Sequence, residues 1–286
     1  MTEINWPSNY KFGAWFSHDV DRVDKTYQYI YKFLKERRFY HIKSFFSNQN
    51  PYWTFDELMN IEKENEIRST LFFLNESIKL KILTPSTYKL ALGRYDINEK
   101  RIVDIIKKFD YGGWEIGIHG SYNSYNNLEI LRNEKIIIEK IIDKDIYGIR
   151  QHYLNLNIPK TWEFQKKIGL KYDGSFGNKK LGFRENRIHP FRPFKDDFLV
   201  FPLNIWDGPM FKGEWNKERL LKECTKIIDI VKKNNSVVSV LYHSDRFNNK
   251  EYPGQIDVYE EIINYIKEQE GFIGTGYQIY NHIIGN

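Results

Sequence analysis

The sequence predicts a parallel β/α barrel, closed or partly open. Three observations carry the prediction. Apolar runs of strand character alternate with amphipathic stretches of helical period along the chain. More such units are present than a small sheet would use. Several of the apolar runs finish in ionisable side chains, which a core does not want but the C-terminal rim of a barrel does.

Taken in order, FGAWFSHD (12–19) reads as a buried strand. DKTYQYIYKFLKERRF (24–39) follows as an amphipathic helix, with Tyr27, Ile30, Tyr31 and Leu34 at helical spacing. TFDELMNIEKENE (54–66) is a helix with Thr54 as N-cap and Glu57 three residues on. STLFFLN (69–75) is a strand, INEKRIVDIIKKF (97–109) a helix and WEIGIHG (114–120) a strand. NLEILRNEKIIIEKIID (127–143) is a helix, IYGIRQH (146–152) a strand, TWEFQKKIG (161–169) a helix and LKYDGS (170–175) a short strand. FLVFPLNIW (198–206) reads as one strand, NKERLLKECTKIIDIVKKN (216–234) as a helix and SVVSVLYHS (236–244) as a strand. Helices over 255–269 and 275–284 close the chain. Residues 76–96 and 182–197 fit neither period and are expected to form long loops or small appended elements. No Pro-, Gly- or Ser-rich linker and no fixed repeat interrupts the pattern, so one domain over 1–286 is expected.

The composition narrows the function. With 41% apolar residues, the 286-residue chain has enough to bury a sizeable core. Aromatics reach 16%, including 20 Tyr and 7 Trp; they suit a sugar-lined groove, although in a chain rich in Ile, Lys and Asn they also follow from compositional bias. The formal charge of +5 is mild and its basic residues are dispersed among acids, so no nucleic-acid partner is expected. The lone Cys224 excludes an intramolecular disulfide and a cysteine metal cluster. No run approaches the ~18 apolar residues of a membrane span. The N-terminal stretch lacks the basic and apolar regions of a signal peptide, so a cytoplasmic location is expected.

The ionisable strand ends are His18, Asp19 and Asp21; His119; Arg150 and His152; Asp173 with Ser175; and His243. Each alone has an ordinary explanation, such as a helix cap, a turn former or a structural ion pair. Together, at the same end of successive strands, they are expected to converge. In extended backbone Asp19 and Asp21 share a face and His18 points away, so His18 is expected to be structural. Two carboxylates on one face divide labour, one binding a divalent metal and the other taking a proton. His119 and Asn123, four residues apart, face one point if the chain turns helical after Gly120. Asp, His and a third ligand suit one Zn²⁺, with Co²⁺, Ni²⁺ or Fe²⁺ as alternatives.

In the order SHDVD, STLFF, EIGIHGSY, GIRQHYL, YDGSFG and LYHS, the sequence resembles the polysaccharide deacetylase family, carbohydrate esterase family four, and in particular a branch carrying HDVD, HGSY and RQHYL. The resemblance runs from about Gly13 to Phe247. It implies a distorted or incomplete barrel with inserted loops and metal-dependent removal of an N- or O-acetyl group from a sugar. By position, Asp19 is implied as catalytic base, Asp21 and His119 as metal ligands, Arg150 as the group orienting Asp19, and His243 as general acid. Asp173 is implied in the motif supporting the acid, and the Tyr153 N–H in holding the oxyanion. The family's third ligand is a histidine where this chain has Asn123; His152, standing where the family has a proline, is the candidate substitute. Tyr122, Arg184, Trp206 and Asp207 are the expected substrate contacts. The substrate is expected to be an acetylated sugar: a sugar nucleotide, a lipid-linked sugar or another intermediate of surface-polysaccharide synthesis. Two other readings stand beside it: an amide hydrolase of a non-sugar substrate, and, because of Asn123, a barrel that binds carbohydrate without hydrolysis.

Overall fold

A computed structural model describes residues 4–285 apart from 9, 77, 79, 82, 85 and 86. Among the described residues nine strands form one parallel sheet: β1 (Phe12–Val20), β2 (Thr70–Leu74), β3 (Glu115–Gly120), β4 (Gly148–Gln151), β5 (Tyr172–Gly177), β6 (Leu199–Leu203), β7 (Ile205–Trp206), β8 (Val237–Leu241) and β9 (Gly271–Gly274). The hydrogen-bonded path runs β6-β5-β4-β3-β2-β1-β8-β7. Its two ends, β6 and β7, are separated in sequence by Asn204 alone, so the sheet comes round on itself. Asn204 makes the join: its N–H donates to the Ser239 carbonyl at 3.2 Å and its Oδ1 accepts from Ser239 N at 3.0 Å. The run expected as one strand over 198–206 is therefore one extended segment that changes partner halfway. β9, not anticipated, pairs with the first half of β1 (Phe12↔Gly271 to Trp15↔Gly274), while β2 takes the second half (Ser17↔Thr70 to Val20↔Phe73).

Eleven helices among the described residues cover the sheet: α1 (Gln28–Glu36), α2 (Tyr40–Phe45), α3 (Phe55–Glu64), α4 (Tyr88–Ala91), α5 (Lys100–Tyr111), α6 (Leu128–Ile142), α7 (Lys160–Lys167), α8 (Asp207–Met210), α9 (Lys217–Lys233), α10 (Gln255–Glu268) and α11 (Gly276–Ile284). None is long and apolar enough to cross a membrane. β1, β2 and β8 are buried along their whole length, as parallel strands covered on both faces must be. The alternation within β1 sorts its residues. Ala14, Phe16 and Val20 pack outward in the main core under the helices, while Trp15 joins Phe72, Tyr172 and Phe201 in the second core cluster, together with residues of α11. These rings meet edge-on or tilted, with Trp15 at 5.4 Å from Tyr172 and 5.3 Å from Phe201, so the barrel is plugged by aromatics rather than open. Gly174 lets the wall close on this plug: a Cβ there would stand 2.6 Å from Trp15 and 3.0 Å from the Arg150 guanidinium.

Two sequence expectations change. Thr54 precedes α3 but its hydroxyl does not cap it; it donates instead to the Ser244 carbonyl. The apolar stripe of α1 does not face the core: Tyr27, Ile30, Tyr31 and Leu34 are exposed. The segment 76–96 contains α4 and several residues outside those described; 182–197 is an irregular excursion whose Phe191 bridges antiparallel to Val200.

Candidate active site

The C-terminal ends of β1, β3, β4 and β8 open into a cavity of about 690 Å³ lined by Asp19, Asp21, His119, His152 and His243, with Tyr153, Arg184 and Trp206 on its walls. Cavities of about 730 and 830 Å³ lie elsewhere, but neither is lined by a histidine.

Asp21 follows β1 and sits between two imidazoles. Its Oδ1 is 3.1 Å from His119 Nε2 and its Oδ2 is 3.3 Å from His152 Nε2. One potential ligand atom from each residue lies within 4.8 Å of the others. Two observations show that this set fits a divalent metal. Asp21 Oδ1 is buried without a hydrogen-bond partner among the described residues. His119 Nδ1 lies 2.9 Å from the Arg150 carbonyl, which fixes that nitrogen as the donor and leaves the Nε2 lone pair facing Asp21. Burial opposes ionisation of Asp21, but the charge of His152 beside it outweighs this and holds the carboxyl well below its usual range. Burial also works against a charged His152, and Asp21 and Glu76 overcome it, raising its pKa. Asn123, by contrast, is exposed and outside the cavity lining: after Gly120 the chain enters a 3₁₀ turn over Ser124–Asn126 rather than the α-helix that would bring Asn123 back over His119.

Asp19 shares the inward face of β1 with Ser17. Arg150 Nη1 donates to Asp19 Oδ1 and to Ser17 Oγ, both at 2.9 Å, and its Nε donates to the Gly174 carbonyl at 3.0 Å. The guanidinium lies 4.8 Å from the Phe72 ring centre and 5.1 Å from that of Trp15, so the aromatic plug supports it from below. Asp19 Oδ2 remains 3.8 Å from His119 Nε2, on the cavity side.

His243 follows β8. Its Nδ1 is 2.8 Å from Asp207 Oδ1, and its N–H donates to Asp207 Oδ2 at 3.0 Å. Burial alone would lower the imidazole's pKa; Asp207 reverses this and raises it to about 10. Asp207 therefore does not occupy the place expected of a sugar contact. It is fully buried at the start of α8, its carboxylate taken by His243 and by Arg246 Nε at 2.9 Å. Asp173 also differs from expectation. It accepts from Ser175 N, Ser175 Oγ and Gln165 Nε2 at 2.7–2.9 Å, contacts that brace β5 and α7 rather than His243. Ser175 Oγ in turn accepts from Gln151 N at 2.8 Å, tying β5 to the end of β4 next to Arg150.

Tyr153 and Leu154 both have positive φ, 59° and 55°. Such a conformation is costly for large side chains, and here Tyr153 lines the cavity. Tyr122 meets that ring edge-on at 5.7 Å without lining the cavity itself. Trp206 lines the wall and donates Nε1–H to the Asn178 carbonyl at 3.0 Å; Arg184 stacks 4.4 Å over Phe176. His18 points outward as expected, with Nδ1 2.9 Å from the Tyr242 carbonyl and Nε2 2.8 Å from Glu62.

Residues from the irregular segment reach the site without a warning in the sequence. Arg94 donates to the Asp21 carbonyl at 2.7 Å and stands 3.2 Å from His152 Nε2. Glu76 lies 3.6 Å from His152 Nδ1 and accepts from Tyr122 N at 3.1 Å. Lys179, also missed, lines the cavity beside Arg184.

No protein-family model matches the sequence, and no curated protein matches it. Solved structures do match in shape. A Mycobacterium smegmatis protein assigned as a polysaccharide deacetylase superposes with TM-score 0.65 at 15% identity, covering 100% of this chain and 94% of its own. The chain has the polysaccharide deacetylase fold. A protein from Pseudomonas aeruginosa, likewise assigned as a polysaccharide deacetylase, gives 0.63 at 13% identity over 99% of this chain and 94% of its own. PuuE allantoinase gives 0.64 at 13% identity over 99% and 93%. The deacetylase fold thus houses more than one activity, and a Bacillus anthracis CE4-family pseudoenzyme shares it at TM-score 0.52, 10% identity, over 96% of this chain and 66% of its own.

Proposed function

We propose that the protein is a metal-dependent hydrolase that removes an acetyl group from an acetylated sugar. The observation that carries the reading is the convergence, in one cavity, of an Asp/His/His cluster, an arginine-held carboxylate and an aspartate-held histidine. Asp21, His119 and His152 hold the metal, Zn²⁺ by the chemistry of the donor set, with Co²⁺, Ni²⁺ or Fe²⁺ as alternatives. When bound, such an ion polarises the acyl carbonyl and acidifies water.

The remaining work belongs to the chain's own residues. Asp19 takes the proton of the attacking water, held in place by Arg150. The N–H of Tyr153 donates to the oxygen on which charge develops. His243, kept as imidazolium by Asp207, gives its proton to the departing nitrogen, releasing acetate and an amine. Tyr153, Trp206, Arg184 and Lys179 offer flat faces and positive charge to the sugar and its substituents. Acetate release from an N-acetylated oligosaccharide or sugar nucleotide, abolished by EDTA and restored by Zn²⁺, tests the reading; no release from any acetylated sugar with metal bound contradicts it.

A second reading is hydrolysis of a non-sugar amide, which the likeness to PuuE allantoinase favours because the two deacetylase-like matches and the allantoinase fit this chain equally well. It predicts turnover of a non-sugar amide, allantoin being the first to try, with the same dependence on Asp19.

A further inference from the structure

The hairpin of α1 and α2 is built inside out. Its inner side is charged: Lys25, on the approach to α1, donates Nζ to Glu251 Oε2 at 2.7 Å and contacts His41 Nδ1 of α2 at 2.9 Å, all with buried side chains. Lys32, one turn beyond the buried Gln28, donates to the other Glu251 oxygen at 2.7 Å. Its outer side is apolar. Ile30 is 63% exposed and Leu34 68%, on the α1 face opposite Gln28 and Lys32. On the flank toward α2, Tyr29 meets Phe45 at 5.3 Å and Phe33 meets Phe39 at 5.8 Å, and Phe45 meets Phe46 at 5.2 Å. Phe39, Phe45 and Phe46 are themselves exposed, Phe46 at 79%. A helix pair held to its barrel by buried ions while presenting isoleucine, leucine and phenylalanines outward has an apolar surface left open among the described residues.

Charge indicates what covers it. Between Tyr27 and Asn50 the sequence has five basic residues (Lys32, Lys35, Arg37, Arg38 and Lys43) and one acid, Glu36. Lys35, Arg37 and Lys43 are exposed beside the apolar side chains. Apolar side chains ringed by Lys and Arg on a short helical element suit the boundary of an anionic bilayer, where the chains enter the acyl region and the cations meet headgroups. The surface is also continuous with the reactive cleft: Tyr27 and Tyr31 line a cavity shared with Asp19, Asp21 and His243.

We propose that the α1–α2 face seats the protein on an anionic lipid surface, with the cleft presented to sugars carried by lipid. The docking rests on the surface alone; the lipid-linked substrate rests on the hydrolase reading above. The test is sedimentation of the full chain with vesicles of phosphatidylcholine alone and of an equimolar phosphatidylcholine/phosphatidylglycerol mixture. Binding is expected to the mixed vesicles, weakening as salt is raised. The triple variant Ile30→Ser, Leu34→Ser, Phe46→Ser is expected to lose it by at least about tenfold, with thermal midpoint and metal content unchanged. Wild-type protein that ignores anionic vesicles, or a variant that still binds them, overturns the docking. A concentration-dependent dimer that the triple variant dissociates would assign the face to a second copy and overturn it equally. Acetate release from a soluble N-acetylated oligosaccharide, measured on the same preparations, is independent of vesicles and separates failure of the docking from failure of the hydrolase reading.

Discussion

Arg150 Nη1 lies 2.9 Å from Asp19 Oδ1, and both side chains are buried. The arginine is fixed by Ser17, Gly174 and the faces of Trp15 and Phe72, so the carboxylate it holds has one orientation, toward the cavity. Asp19→Asn keeps the shape and is expected to retain metal while lowering turnover about a hundredfold to ten-thousandfold. Metal content and acetate release measured on one preparation check this; unchanged turnover would remove Asp19 as base.

Arg150→Met tests the other half of the pair. It leaves Asp19 buried without its cation, a change worth about 3–5 kcal/mol of stability when a buried pair is broken. Denaturant unfolding is expected to show that loss, and lysine at the same position to recover little of it, because a point charge cannot make the three directed contacts of the guanidinium.

The His243–Asp207 pair sets a pH dependence. Burial disfavours the imidazolium but Asp207 raises its pKa to about 10, so the acid stays protonated through neutral pH. Its contribution to stability is fully present below the unfolded value near 6.5 and is lost as pH rises through about 10. Activity is expected to fall on the alkaline side over the same range. Asp207→Asn should draw that limb down toward neutrality; a profile that does not move would separate His243 from proton donation.

His18 offers a check on strand register. Glu62 gathers His18 Nε2, Tyr259 OH, Ser69 Oγ and Trp114 Nε1 within 2.5–2.9 Å, a buried network outside the barrel wall. His18→Ala is expected to cost about 1–3 kcal/mol by leaving part of Glu62 unsatisfied, with metal content unchanged. Loss of metal in this variant would place His18 in the site and contradict the register.

Much of the barrel is legible in the sequence because parallel strands buried on both faces read as short apolar runs between amphipathic helices, and because the ionisable residues at their ends have no use in a core. Asp19, Asp21, His119 and His243 stand out for that reason. The readings that fail depend on long-range partners. Asp207 follows a strand like the others, yet its carboxylate turns inward to His243 and Arg246. Arg94 and Glu76 lie in an aperiodic segment, where nothing local marks a residue that folds back over His152. The stripe of α1 has a core helix's spacing, but the buried Lys25–Glu251 pair turns its polar side to the barrel. Asn123 reaches the point faced by His119 only if an α-helical turn follows Gly120; a tighter turn forms instead.

The most direct measurement is the divalent metal content of wild-type protein, His152→Ala and Asn123→Ala, each stripped and reloaded with Zn²⁺ before analysis by inductively coupled plasma mass spectrometry. The account predicts one tightly held ion in wild type and in Asn123→Ala, and a stoichiometric loss in His152→Ala. Retention by His152→Ala together with loss in Asn123→Ala would contradict it.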